Sequence, residues 1–289
     1  MQRSLFKSIE GKKEVLNLYD EKLKALNLEV TSISVNTSFG ETNILISGAE
    51  NAPPIIVVHG SNGCAPIALE TYHKLPSKFR VYAVDVLAQP NKSAEVRLSM
   101  KDASYGKWMN EIMQSLDVSN VTLAGFSFGG LVILKTLEYD ESRVKEVFLS
   151  APAYIVNGNP LKALFKIFIP MKRFIKTKNT RYIEKFLAQL FTDRDEFALR
   201  FLSSVFLNFT MDFSPVPLIK KERAQLIKTP ISIFAAKHDL IFPGEKMIKR
   251  ARTIFPSLKE AELLLNSKHV QNSEDNQYIE DKILATLKQ

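Results

Sequence analysis

The chain has 289 residues, of which 45% are hydrophobic and 24% are charged, with a formal net charge of +8. This is an ordinary composition for a soluble protein, and the length suits one large α/β domain with an insertion. The single cysteine, Cys64, excludes an internal disulfide and any cysteine-clustered zinc or iron–sulfur site.

Short runs rich in Val and Ile alternate along the chain with longer segments of helical period. This alternation predicts a mostly parallel sheet with helices on both faces. Residues 10–26 have the period of an amphipathic helix, and the runs at 30–35 and 43–47 predict a hairpin that turns at 38–41. Buried strands are predicted at 55–58, 79–84, 121–124, 144–149, 231–235 and 261–265. Helices are predicted at 65–75, 102–117, 128–139, 244–254 and 275–287.

The interval from Pro152 to Pro230 breaks this rhythm. It contains no predicted strand, whereas residues 160–208 are dense in Phe, Leu and Ile at helical spacing. We therefore expect a helical insertion that covers the edge of the sheet or the mouth of a site there. The predicted organisation is a helical lead-in at 1–26, an α/β core at 27–151 and 218–289, and a helical cap or lid at 152–217.

The N-terminal 25 residues contain no uninterrupted apolar segment, and no run of 18 apolar residues follows them. A secretory signal or a membrane-spanning helix would need such a segment. We therefore expect a cytoplasmic protein without a membrane anchor.

A G-x-S-x-G motif, Gly125-Phe126-Ser127-Phe128-Gly129, lies between a predicted strand and a predicted helix. A serine that attacks a carbonyl group needs its hydroxyl presented on a sharp strand-to-helix turn. Such a turn leaves no room for side chains two residues to either side, which accounts for both glycines. The motif indicates that Ser127 is a nucleophile, and the alternative is a glycine-rich turn that happens to contain a serine.

On these residues the chain resembles the α/β-hydrolase superfamily, from about residue 30 to the C-terminus. The resemblance implies that fold, with a mostly parallel central sheet, flanking helices and an inserted helical cap. His59-Gly60-Ser61 follows the predicted strand at 55–58, where the family places the loop that helps to form the oxyanion hole. The resemblance implies that the backbone N–H groups of Ser61 and Phe128 are the two donors, with His59 belonging to the loop architecture.

The family's order of catalytic residues is Ser, then Asp or Glu, then His. His269 follows the last predicted strand, where the family has its base, and His238 is the alternative. Asp239 follows the penultimate predicted strand, and the resemblance implies that it orients the base, the alternative being a solvated loop carboxylate. Lys268 stands where the family usually has glycine, and a cation there is expected to lower the pKa of His269.

A serine nucleophile supports an acyl-enzyme, so the resemblance implies a serine hydrolase that cleaves a carboxylic ester or thioester. A carboxylesterase is favoured over a thioesterase, and residues 59–64 lack the three-glycine signature of the family's larger lipases and esterases. The other open functions are a non-catalytic ligand-binding or signalling protein, and a lyase or cofactor-free oxidative enzyme on the same scaffold. No metal or organic cofactor is implied.

Positive charge is concentrated between residues 160 and 190, which carry eight Lys or Arg and one Glu. Phe, Leu and Ile are interleaved with them, which predicts amphipathic helices with one basic face, interrupted at Pro170. The interpretations are a solvated cap surface, attraction of an anionic substrate, or weak attachment to an anionic membrane surface. No nucleic-acid reader motif accompanies the charge. We expect a small-molecule ester or acyl substrate, anionic or neutral, and neither nucleic-acid binding nor stable membrane insertion.

Overall fold

A single sheet of eight strands organises the chain, as seen in a computed structural model that describes residues 4–288. The strands are β1 (Thr31–Thr37), β2 (Gly40–Ser47), β3 (Pro54–Val58), β4 (Arg80–Val84), β5 (Val121–Phe126), β6 (Val144–Ser150), β7 (Ile231–Ala236) and β8 (Leu258–Leu264). They are ordered β1-β2-β4-β3-β5-β6-β7-β8. The β1–β2 hairpin pairs antiparallel with β4, and every other pair is parallel, so the predicted α/β fold with a mostly parallel sheet is confirmed.

Helices flank both faces of the sheet. In chain order they are α1 (Ile9–Ala25), α2 (Ala65–Thr71), α3 (Ser104–Ser115), α4 (Phe128–Tyr139), α5 (Pro160–Ala163), α6 (Ile169–Thr177), α7 (Thr180–Leu190), α8 (Glu196–Asn208), α9 (Lys221–Ala224), α10 (Gly244–Ile254) and α11 (Ser273–Ala285). A π-helical turn, Leu164–Phe168, joins α5 to α6. One apolar core contains residues of α3, α4 and α10, and the other contains residues of α1, α2, α11 and α6–α8.

The predicted elements agree with the structure to within about four residues at each end, and two of the differences have a plain physical cause. Strand β8 begins at Leu258, three residues before the prediction, because Glu260 and Leu258 also pair with β7, on either side of a bulge at Lys259. Charged side chains are common on edge strands, so a search for apolar runs misses them. Helix α2 ends at Thr71 instead of 75, and Pro76 lies in a short 3₁₀ turn that follows it. A proline disfavours α-helical geometry at the residue before it.

Among the described residues, no helix combines the length and the apolar character that are needed to span a bilayer.

Asp85 joins the N-terminal helix to the sheet. Its buried carboxylate accepts hydrogen bonds from Tyr19 Oη (3.0 Å), Asn43 Nδ2 (2.8 Å) and the backbone N–H of Ala65 (2.7 Å). Burial raises the pKa of Asp85 to about 6, although these donors favour the ionised form. Because the three donors come from α1, β2 and the start of α2, this carboxylate fixes three elements relative to β4.

We predict that Tyr19→Phe destabilises the fold without changing its shape. Removing the hydroxyl takes one donor from a buried carboxylate, and a hydrogen bond to a charged group contributes about 1.5–3 kcal/mol. Urea denaturation should show a loss of that size in the free energy of unfolding. Tyr82→Phe on β4 is the matched control, because the hydroxyl of half-buried Tyr82 has no described hydrogen bond. Equal losses in the two variants would contradict the role of Asp85.

Candidate active site

Ser127 occupies a strained turn between β5 and α4. Its backbone angles, φ of 53° and ψ of −112°, are rarely adopted by residues other than glycine. Three backbone hydrogen bonds hold the residue there. The Ser127 N–H donates to the Ser150 carbonyl (3.0 Å), and the Ser127 carbonyl accepts from the N–H groups of Gly130 and Ala153 (2.9 Å each). The local backbone is therefore fixed on both sides of the serine.

The two glycines of the motif stand where the turn packs against neighbouring backbone. A Cβ added at Gly129 would lie 2.2 Å from the Val58 carbonyl oxygen. A Cβ added at Gly125 would lie 2.6 Å from Ile133 Cδ1 and 2.8 Å from the carbonyl carbon of Gly129. These contacts are too short for any side chain, which agrees with the steric reason inferred from the sequence.

The structure brings Ser127, His269 and Asp239 together. His269 Nε2 lies 2.9 Å from Ser127 Oγ, and His269 Nδ1 lies 2.7 Å from Asp239 Oδ2. The other carboxylate oxygen of Asp239 accepts from the backbone N–H groups of Ile241 (2.7 Å) and Phe242 (3.0 Å). Because an ionised carboxylate only accepts, Nδ1 carries the proton and Nε2 accepts from the serine hydroxyl. All three side chains are buried.

Aromatic rings restrict the imidazole of His269. Phe126 and Phe242 lie with their ring centroids 5.1 Å and 5.5 Å from it. Phe126 belongs to the motif, and Phe242 lies in the loop that donates to Asp239. The ring therefore has apolar neighbours, while its two nitrogens face the serine hydroxyl and the carboxylate.

The loop that follows β3 lies against Ser127 and is fixed by His59. The His59 ring is buried, with Nδ1 donating to the Gly60 carbonyl (2.7 Å) and Nε2 accepting from the Val86 N–H (3.0 Å). Burial lowers the pKa of His59 to about 4, so the ring is neutral at pH 7. A Cβ added at Gly60 would lie 3.3 Å from Ser127 Cβ. This loop carries Ser61, whose side chain is exposed.

Phe128 is the first residue of α4, so its N–H belongs to the helix terminus that lacks intrahelical acceptors. Its ring is buried and packs edge-to-face on Tyr105, 5.4 Å between centroids. The N–H is therefore held by a side chain anchored in the core.

The alternative base, His238, lies apart from this group: it is exposed, and its backbone N–H donates to the Ser267 carbonyl. Two other side chains that could titrate are also separate from the site. His73, two residues past α2, is exposed, and Asp85 belongs to the Tyr19 cluster. Within residues 4–288, no group of three or more His, Cys, Asp or Glu side chains could hold a metal ion.

Two residues that sequence reasoning missed hold the backbone around His269. Gln271 Nε2 donates to the His269 carbonyl (3.0 Å), and Gln271 Oε1 accepts from Ser150 Oγ (3.0 Å). Thr192 Oγ1 donates to the Val270 carbonyl (2.7 Å) and accepts from the Lys268 N–H (3.0 Å). Thr192 lies 76 positions before Lys268, so no local pattern could have indicated it.

Lys268 also engages the helical segment. Its ammonium group donates to the Ala188 carbonyl in α7 at 2.8 Å. Backbone hydrogen bonds from Val270 N–H to the Leu190 carbonyl (2.8 Å) and from Thr192 N–H to the Val270 carbonyl (3.0 Å) join the same two segments. A lysine at this position thus ties the histidine loop to α7.

We predict that His59 makes stability depend on pH. The folded protein keeps His59 neutral, whereas the unfolded chain takes up a proton below its ordinary pKa of 6.5. The contribution of His59 is therefore fully present above pH 6.5 and is lost as the pH falls towards 4, by about 3 kcal/mol at most. Urea denaturation of the wild type and His59→Gln between about pH 7 and 4.5 measures this loss.

The comparison of the two proteins separates the effect of His59 from that of other titrating groups. Asp85 has a raised pKa, so its contribution changes in the opposite sense over this range, but it is present in both proteins and cancels in their difference. His73→Gln, at an exposed histidine, should retain the wild-type dependence on pH. If the free energy of unfolding of His59→Gln changed with pH as steeply as that of the wild type, the buried neutral state of this ring would be contradicted.

Comparisons with known proteins identify relatives of this chain. A family model described as alpha/beta hydrolase fold matches residues 53–275. A protein of Bacillus subtilis (strain 168) named Uncharacterized carboxylesterase nap is 25% identical, over 92% of this chain and 89% of its own. Carboxylesterase YbfK of the same strain is 24% identical, over 98% of this chain and 96% of its own.

Solved structures match the fold over almost the whole chain. The crystal structure of naproxen esterase (carboxylesterase NP) from Bacillus subtilis has a TM-score of 0.84 at 22% identity, with 97% of this chain and 99% of that chain covered. The esterase RhEst1 from Rhodococcus sp. ECU1013 has a TM-score of 0.69 at 16% identity, covering 90% and 98% of the two chains.

Proposed function

The chain belongs to the α/β hydrolase fold family, and we propose that it is a carboxylesterase that forms an acyl-enzyme on Ser127. The observation that carries the proposal is the pair of hydrogen bonds that His269 makes, between Nε2 and Ser127 Oγ (2.9 Å) and between Nδ1 and Asp239 Oδ2 (2.7 Å). Two relatives that align with nearly the whole chain bear the name carboxylesterase, which supports an ester as the substrate.

In the proposed mechanism, Ser127 Oγ attacks the carbonyl carbon of the ester while His269 Nε2 takes the hydroxyl proton. Asp239 stabilises the resulting imidazolium through Nδ1 and keeps the ring in the required tautomer. The tetrahedral intermediate collapses, and His269 returns the proton to the departing alkoxide, so that an alcohol leaves. A water molecule, activated by the same imidazole, then attacks the acyl group and releases the carboxylic acid.

The backbone N–H groups of Ser61 and Phe128 are the proposed oxyanion-hole donors. Phe128 N–H stands at the N-terminus of α4, where the helix dipole also favours negative charge. The Ser61 loop is held against Ser127 by the neutral His59 ring. Donors fixed before the reaction stabilise the developing oxyanion without reorganising, and each contributes about 3 kcal/mol.

We also propose that residues 152–217 cap the site. Helices α5 to α8 lie in this segment, and the hydrogen bonds of Thr192 and Ala188 join it to the histidine loop. A cover of this kind would keep water from the reacting groups and present apolar side chains to the substrate. The substrate proposed is therefore a small ester with an apolar acyl or alcohol group.

We predict that Ser127→Ala abolishes ester hydrolysis. Loss of the nucleophile should lower kcat by roughly 1,000-fold or more, because no acyl-enzyme can form. The assay is hydrolysis of p-nitrophenyl acetate, butyrate and octanoate, with mass spectrometry after treatment with a fluorophosphonate. The label should appear on Ser127 and be absent from the variant.

Ser142→Ala, at an exposed serine, is the control and should keep wild-type activity and labelling. Wild-type protein that takes no label and hydrolyses these esters no faster than Ser127→Ala would rule out the serine hydrolase mechanism. A non-catalytic binding protein would then be the better reading, and cleavage of a cyanohydrin would indicate a lyase instead.

We predict that Thr192→Val slows catalysis more than it weakens substrate binding. Valine keeps the shape of threonine but removes the hydroxyl that bridges Lys268 and Val270, so His269 loses part of its backbone support. We expect kcat to fall about tenfold, a typical effect of a group that positions a catalytic residue, with KM little changed. Thr192→Ser retains the hydroxyl and should restore most of kcat, and equal losses in the two variants would contradict this role.

A further inference from the structure

One helical run of residues 160–177 leaves part of its apolar surface uncovered. Helix α5, the π-helical turn and α6 form this run without a break. Leu161 and Phe165 are 64% and 65% exposed, and Leu164 between them is 43% exposed. Further along the same run the apolar side chains of Ile167, Met171 and Phe174 are buried. The run therefore packs part of its apolar surface on the protein and leaves the part around Leu161 and Phe165 exposed.

Phe213 extends the exposed surface beyond the helix. Its side chain is 53% exposed, and its ring packs edge-to-face on the half-buried ring of Phe168, with 6.0 Å between centroids. We call Leu161, Leu164, Phe165 and Phe213 the outer apolar patch. Single exposed apolar side chains are common on proteins, whereas a group of four large ones in one region indicates an interaction surface.

The segment that carries the patch also carries exposed positive charge. All eight basic residues between 160 and 190 are exposed, and none forms an ion pair with any described carboxylate. Lys162 and Lys166 each directly follow a patch residue. Other lysines of the chain, such as Lys12 and Lys282, do have carboxylate partners. The segment therefore combines exposed apolar side chains with cations that form no ion pair among the described residues.

The patch begins beside the loop that carries Asp239. The Gly158 N–H donates to the Ile241 carbonyl (2.7 Å), two residues after that aspartate. The next residue, Asn159, caps α5 by accepting from the N–H groups of Leu161 and Lys162. A surface bound to the patch would thus lie next to the loop that supports the proposed catalytic acid.

We propose that the outer apolar patch docks this protein on the surface of an anionic lipid bilayer. The four apolar side chains would enter the boundary between headgroups and acyl chains, and the surrounding lysines and arginines would face the anionic headgroups. This is the arrangement of an amphipathic helix that lies in the interface plane, and both apolar burial and charge attraction contribute to it. A second copy is a poor occupant, because it would bring a segment of +7 net charge against an identical one.

The test is sedimentation of the full-length protein with vesicles of phosphatidylcholine, alone or with about a quarter phosphatidylglycerol. Wild-type protein should bind the anionic vesicles at least tenfold more tightly than the vesicles of phosphatidylcholine alone, and raised salt should release it. Two double variants probe the two contributions. Leu161→Ser combined with Phe165→Ser removes apolar burial, and Lys162→Glu combined with Lys166→Glu removes charge attraction. Each pair should weaken binding about tenfold, because each removes one of the two attractions.

Leu226→Ser with Lys221→Glu is the matched control, since both residues are exposed and lie outside the patch. It should bind vesicles as the wild type does. Far-ultraviolet circular dichroism and thermal unfolding of every variant check folding without any assay of catalysis. Because vesicle binding needs no catalysis either, failure of the proposed function would leave this test intact.

Three results would overturn the proposal. One is an absence of binding to either vesicle. Another is binding that the lysine pair weakens but the Leu161 and Phe165 pair does not, because that would indicate a charge-only surface suited to an acidic protein. A third is a wild-type protein that is dimeric in solution while the variant Leu161→Ser with Phe165→Ser is monomeric, which would assign the patch to a second copy.

Discussion

The left-handed backbone of Ser127 is the constraint on which the site depends. A serine gains nothing locally from this conformation, so its surroundings must compensate for the strain. The compensation comes from backbone hydrogen bonds to Ser150, Gly130 and Ala153, and from glycines that allow the turn to touch the carbonyl of Val58. Strands β3, β5 and β6 therefore have to be assembled before the serine can hold its position.

The parallel sheet explains why distant residues meet at one point. Ser127 follows β5, Asp239 follows β7 and His269 follows β8, and the carboxyl ends of parallel strands lie along one edge of a sheet. Loops at that edge are free to differ in length and direction, because the ladder already fixes where each one begins. Strand order thus brings the three loops to one edge, and the hydrogen bonds within the loops then set the positions of the three side chains.

Sequence reasoning reached the features that are locally encoded. The apolar runs predicted the strands, and the glycine spacing around Ser127 predicted a turn whose steric reason the structure reproduces. Pairing at the edge of the sheet extended β8 over Lys259 and Glu260, which no apolar pattern marks. The supports of His269 could not be predicted either, because Ser150 and Gln271 are 121 positions apart and only the folded chain joins them.

The segment 152–217 is attached unevenly to the rest of the protein. Around Thr192 it is hydrogen-bonded to the loop of His269, whereas residues 160–177 turn much of their outer surface to solvent. The segment thus has one end held by hydrogen bonds and one end open to solvent. Under the proposed mechanism, substitutions in 160–177 are expected to change what the outer surface contacts, whereas substitutions near Thr192 are expected to displace His269 and slow catalysis.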